Sequence, residues 1–157
     1  MLKPLYYSLT ILLIFIFPIA FAQGNKPVKW VFKAEQTSAS EISINISADV
    51  APGWHLYSQF LKDGGPQPTK FYFQSSNDYF PVGSTDERGS QVKYHDDIYE
   101  MEIIWYSGAV SFIQKAKFNI PVFTIKGSVD YMTCNNHLCV PDKQEFTIDV
   151  NTVKRNP

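Results

Sequence analysis

The chain has 157 residues, 15% of them aromatic and 18% charged, with 14 Lys+Arg against 15 Asp+Glu for a formal net charge of −1. This near-neutral balance offers neither a basic stripe for nucleic acid nor a polybasic patch for lipid headgroups. Nine Tyr and twelve Phe instead suit a sheet protein whose faces pack rings.

The first element is a leader. Lys3 precedes an apolar run from Leu9 to Ala22, broken only by Thr10 and Pro18 and closing on Ala20-Phe21-Ala22. A basic start, a short apolar stretch and a small-x-small end predict a cleaved export signal over residues 1–22 and a mature start at Gln23. The run falls short of the ~20 residues a membrane span needs, and no Cys follows it to accept lipid. Residues 23–157 keep 13 Lys+Arg against 15 Asp+Glu, a net of −2, and are expected to form one exported domain with a single core.

Beyond the leader the hydrophobic pattern has period two. "VKWVFKA" at 28–34 is followed by "EISINISADV" at 41–50. There Ile42, Ile44, Ile46, Ala48 and Val50 fall on one face and Ser43, Asn45, Ser47 and Asp49 on the other, the pattern of a half-buried antiparallel strand. Further strands are predicted at 69–74, 101–107, 109–120, 125–132 and 145–150. Turn signals separate them at Ala51-Pro52-Gly53, Asp63-Gly64-Gly65-Pro66, Ser107-Gly108 and Pro141-Asp142. The polar span 81–98 reads as one or two long surface loops, and residues 151–157 as a disordered tail. Seven or eight short strands with intervening turns predict an all-β fold, an immunoglobulin-like antiparallel β-sandwich over residues 23–150.

The only two cysteines, Cys134 and Cys139, flank Asn135-Asn136-His137-Leu138. Asn tolerates the left-handed backbone of tight turns, so the pair can face across a hairpin at the ~4.5–5.5 Å that a disulfide accepts. Three chemistries fit. A structural clip is one, although a loop this short gains only about 2 kcal/mol and ties no distant segments together. A metal site would combine Cys134, His137 and Cys139 with His55 or His95, in a spacing that matches no common zinc pattern. A redox pair needs an accessible sulfur and some shielding; His137 could favour a thiolate, and Tyr131, Trp54, Tyr57 and Tyr94 could screen it.

Three stretches carry a resemblance. "VDYMTCNNHLCVPDKQEFTIDV", "APGWHLYSQFLKDGGPQPTKFYF" and "YHDDIYEMEIIWYSGAVSFIQKAKF" resemble the N-terminal periplasmic domain of the DsbD thiol:disulfide interchange family, over roughly residues 28–150. The resemblance implies an immunoglobulin-like domain in which Cys134 and Cys139 form the redox pair, Cys139 making the intermolecular bond and Cys134 resolving it. Tyr57 then matches a tyrosine lying against the site, His55 takes the place of an aromatic partner, and Tyr94 falls near a cap loop. Gln91-Val92-Lys93-Tyr94 stands where the better-known form has an acidic-acidic-Phe-Tyr cap, with Asp96 and Asp97 as the nearby carboxylates. Four residues separate the cysteines here, against five in some members.

The implied activity is a thiol:disulfide oxidoreductase or electron carrier of the periplasm. Its expected partners are a separate membrane electron donor and thioredoxin-like periplasmic proteins, with no nucleic acid, no cofactor and no metal, and the chain is expected to be a monomer. The alternative is a non-catalytic immunoglobulin-like binding module whose disulfide is structural.

Overall fold

The computed structural model describes residues 26–152; the expected leader and residues 153–157 lie outside them. Eight strands are present: β1 Val28–Gln36, β2 Glu41–Val50, β3 His55–Tyr57, β4 Lys70–Phe73, β5 Tyr79–Asp96, β6 Met101–Phe118, β7 Val122–Cys134 and β8 Cys139–Asn151. They form one antiparallel sheet in the order β1-β2-β6-β3-β7-β4, with β5 also on β6 and β8 also on β7. The sheet curls over so that its two halves face each other, and the expected sandwich is therefore a continuous ribbon with the short β3 as its seam.

The alternation in β2 sets one inner face. Ile42, Ile44 and Ile46 are fully buried, each a gain of roughly 1.5–3 kcal/mol over exposure, and β1 pairs them with Gln36, Ala34 and Phe32 respectively across the ladder. Rings close the gap between the halves. Trp30 of β1 meets Tyr131 of β7 at 5.1 Å between centroids, Phe32 stacks on Phe146 of β8 at 4.4 Å, and Phe71 of β4 lies 4.8 Å from Phe112 of β6. Such aromatic pairs add to the area they bury.

Three turn or loop assignments give way to strand. The polar span 81–98 is mostly β5, an edge strand held by backbone pairing to β6 with irregularities between Val82 and Asp86 and between Gly89 and Gln91. Charges and bulges of this kind keep an exposed edge from pairing with another chain. Ser107-Gly108 is no reversal. It is a bulge within β6, with Gly108 at φ 68°, where the strand leaves β2 and takes up β3. Pro141-Asp142 lies inside β8, an outer strand whose only partner is β7, so the missing proline N–H breaks no ladder there. The turn at Ala51-Pro52-Gly53 forms as expected, Trp54 N–H donating to Ala51 O at 3.1 Å with Gly53 at φ 80°.

At the far end β8 runs to Asn151. Thr152 is buried, and both its N–H and its hydroxyl donate to Pro121 O. Among the described residues no helix is long and apolar enough to cross a membrane.

Candidate functional site

The last pair of the β7–β8 ladder is Cys134 opposite Cys139. Asn135 builds the turn between them. Its Oδ1 accepts from the N–H groups of His137 (2.8 Å) and Leu138 (2.9 Å), while its own N–H donates to Leu138 O at 3.0 Å. This is the backbone mimicry for which Asn is favoured in turns. The two Cα atoms come within 4.0 Å, closer than the hairpin spacing expected from sequence, and the sulfurs are joined in a disulfide.

The two cysteines have different surroundings. Cys134 is 2% exposed, clustered with Tyr57, Leu61 and Ile103, with Met101, Ile104, Trp105 and Met132 packed against the group. Cys139 is exposed. Register explains the shelf beside Cys134. The seam strand β3 places His55 directly opposite it, and directly opposed side chains share a face; Tyr57, two residues on, lies on that face too. On the other side β3 pairs Tyr57 with Trp105. The His55 ring lies 4.6 Å from Trp105, and its Nε2 is 3.3 Å from the Tyr57 hydroxyl.

Burial holds the His55 pKa below the usual histidine value, so its ring is neutral at neutral pH. Tyr57 is pushed up to about 12, first by burial and then by Tyr94, Tyr99 and Asp96. Those three groups belong to the tip of the β5–β6 hairpin, which therefore stands within electrostatic reach of Tyr57. Asp96 orders the tip by accepting from Ile98 N–H (2.9 Å), Tyr99 N–H (3.1 Å) and the Tyr94 hydroxyl (3.2 Å). The Tyr99 N–H leads in drawing the Asp96 pKa below the usual carboxylate value.

Thiol–disulfide exchange needs an attacking thiolate to reach one sulfur while the other leaves. An exposed Cys139 beside an enclosed Cys134 has that asymmetry. Of the residues singled out by sequence, His55 and Tyr57 line the buried cysteine and Tyr94 stands on the nearby hairpin. His137 is exposed in the turn.

Trp54 and Tyr131 lie elsewhere. Both pack with the main core, and the Tyr131 hydroxyl donates to Asp142 at 3.0 Å. Trp105 and Ile103 went unrecognised as part of the shelf, although the alternation in "MEIIWYS" places them on one face of β6. Among the described residues no three His, Cys, Asp or Glu side chains gather as a metal-holding group.

A family model described as "Thiol:disulfide interchange protein DsbD, N-terminal" matches residues 25–151. Curated protein sequences yield no match. Among solved structures, the N-terminal periplasmic domain of ScsB from Proteus mirabilis superposes with a TM-score of 0.57 at 18% identity, covering 81% of this chain and 47% of that one. The chain thus spans about half the length of that relative. The DsbD N-terminal domain of Neisseria meningitidis in its reduced form gives a TM-score of 0.50 at 14% identity, covering 78% of this chain and 86% of that one. At these identities the two structures speak for the fold.

Proposed function

This chain belongs to the DsbD N-terminal domain family, and from that premise we propose that it is a periplasmic dithiol–disulfide electron carrier. The observation that carries the reading is the inequality of the two cysteines, Cys139 exposed at a turn and Cys134 enclosed among Tyr57, Ile103 and Leu61. A bridge selected only as a clip has no need of one exposed and one sheltered sulfur.

In the reduced domain the Cys139 thiolate attacks a partner disulfide, and the partner's other sulfur leaves as a thiolate. Cys134, deprotonated, then attacks Cys139 Sγ. The intramolecular bond forms, the mixed disulfide breaks and the partner's second thiolate departs. Two electrons pass to the partner, and the two protons shed by the cysteines are matched by the two its thiols take up. A dithiol donor recharges the domain by the reverse sequence. Thioredoxin-like proteins are the acceptors in this reading and a membrane-embedded dithiol is the donor. Tyr57, His55 and Tyr94 screen the buried sulfur.

The test uses Cys134→Ala and Cys139→Ala variants with an oxidised thioredoxin-like protein. Cys134→Ala, once reduced, should accumulate a mixed disulfide through Cys139, and Cys139→Ala should not. The unsubstituted pair should equilibrate with glutathione near about −200 mV. A potential below about −300 mV with no trapped adduct would leave a structural clip.

A further inference from the structure

We propose that Glu87, on the edge strand β5, is a positioning residue that holds the aromatic shelf beside Cys134. The proposal rests on the redox reading above. Glu87 lies in the span whose composition reads as surface loop, yet its carboxylate reaches inward to three donors. Oε1 accepts the Ser58 hydroxyl at 2.6 Å and the Tyr106 hydroxyl at 2.6 Å, and Oε2 accepts the Gln59 N–H at 2.8 Å. Hydroxyl-to-carboxylate bonds this short belong to the strong, charge-assisted class.

The donors are the immediate neighbours of the shelf. Ser58 follows Tyr57 and Tyr106 follows Trp105, so one carboxylate grips β3 and β6 one residue beyond the two rings that β3 and β6 set side by side. Ser58 and Tyr106 are both buried, at 0% and 3% exposure, where an unmet hydroxyl is costly. Strand β3 has only three residues, and the chain after it depends on such ties. The Thr69 hydroxyl donates to Tyr57 O at 2.6 Å, Ser58 N–H to Ile104 O at 3.0 Å and Phe60 N–H to the Ser58 hydroxyl at 3.0 Å.

Two further features of β5 serve the same grip. At Gly89 a Cβ would stand 3.0 Å from Tyr106 Cδ1 and 3.3 Å from Cε1, so the bare backbone lets the Tyr106 ring lie close to β5, two residues from Glu87. Thr85, two residues the other way, accepts the Gln59 side-chain amide at its carbonyl (2.9 Å) and donates its hydroxyl to Gln114 (2.8 Å). Thr85, Glu87 and Gly89 thus make a polar inner face on an edge strand, directed at the segment that carries Tyr57.

The consequence concerns access to the enclosed sulfur. With Glu87 in place, Tyr57 and Trp105 are fixed over Cys134; without it, three donors, two of them on the buried Ser58 and Tyr106, lose their acceptor and the shelf loosens locally. The experiment takes the reduced Cys139→Ala protein, in which Cys134 is the only thiol, and follows its alkylation by iodoacetamide with and without Glu87→Ala. Loss of bonds to a charged acceptor should raise the Cys134 rate on the order of tenfold through local opening.

Glu87→Gln, which keeps an acceptor oxygen, should restore part of the protection, and the milder Tyr106→Phe should raise the rate less than Glu87→Ala does. Ile148→Val, a core change in β8 away from the shelf, controls for lost global stability and should leave the rate near that of the parent. Equal rates in Glu87→Ala and its parent, or an equal rise in Ile148→Val at matched urea midpoint, would overturn the assignment. Failure of the redox reading is read separately, from the absence of exchange at the unsubstituted pair.

Discussion

Reducing the disulfide separates a carrier from a clip, because a carrier has to stay folded in both states. Cys134 and Cys139 are five positions apart, so their bond closes a loop of about six residues. The chain-entropy relation then gives about 2 kcal/mol of stabilisation, an upper figure where the unfolded chain keeps some of the Asn135 turn. The β7–β8 ladder runs from this pair through to Val122 opposite Asn151, and nothing in it depends on the sulfur bridge. With a urea slope of about 1.5 kcal/mol per molar, reduction should lower the unfolding midpoint by about 1 M and leave a cooperative transition.

The assay is urea unfolding followed by tyrosine and tryptophan fluorescence, with and without a phosphine reductant, supported by far-UV circular dichroism of the reduced protein at 37 °C. A loss of about 4 kcal/mol or more, at the level seen when small secreted domains lose an essential bridge, would refute the reasoning. The pair would then be a staple, and the redox role would fall with it.

Two further outcomes follow from the packing and the ionisable groups. A Cβ at Gly127 would collide with the Tyr72 carbonyl oxygen and stand 2.5 Å from Phe146 Cζ; Gly127→Ala should therefore lose about 2 kcal/mol net of its backbone-entropy gain. That corresponds to a fall of about 8 °C in melting temperature, and an unchanged or raised melting point would contradict the steric account. Tyr57 and Tyr131 are both pushed up to about 12, burial being the first cause in each. The folded state thus holds protons that the unfolded state has released, so this contribution is complete below pH 10 and is lost as pH rises from about 10 towards 12. Absorbance at 295 nm should show these two phenolates forming late, together with unfolding and with that of Tyr106, which burial also raises, and an early titration of all seven tyrosines of residues 23–157 near pH 10 would rule this out.

What sequence could reveal followed from which side chains do the pairing. β2 was legible because its inner face is Ile42, Ile44 and Ile46, an apolar alternation that only a half-buried strand explains. Beyond the buried Tyr79, β5 was not, since the residues it turns inward are Thr85, Glu87 and Gly89, whose partners are polar hydrogen-bonding groups and a tyrosine ring, and whose pattern is that of a solvated loop. Gly108 looked like a turn because a left-handed glycine serves a bulge as well as a reversal. The cysteine pair and its Asn turn could be read locally. The shelf could not, because Trp105 and Tyr57 are brought together by ladder register across 48 positions of chain, and register is set by the whole sheet.

Strand β6 has β5 along one side, and β2 and then β3 along the other. It is thereby a common rail for both halves of the sandwich, and the shelf residues Ile103 and Trp105 ride on it. A rail shared in this way joins the halves into one cooperative unit, so the amides of β6 are expected to exchange with solvent deuterium only in the slowest, global opening. The Ile103 and Trp105 side chains that pack with Cys134 are then carried on a stiff mount.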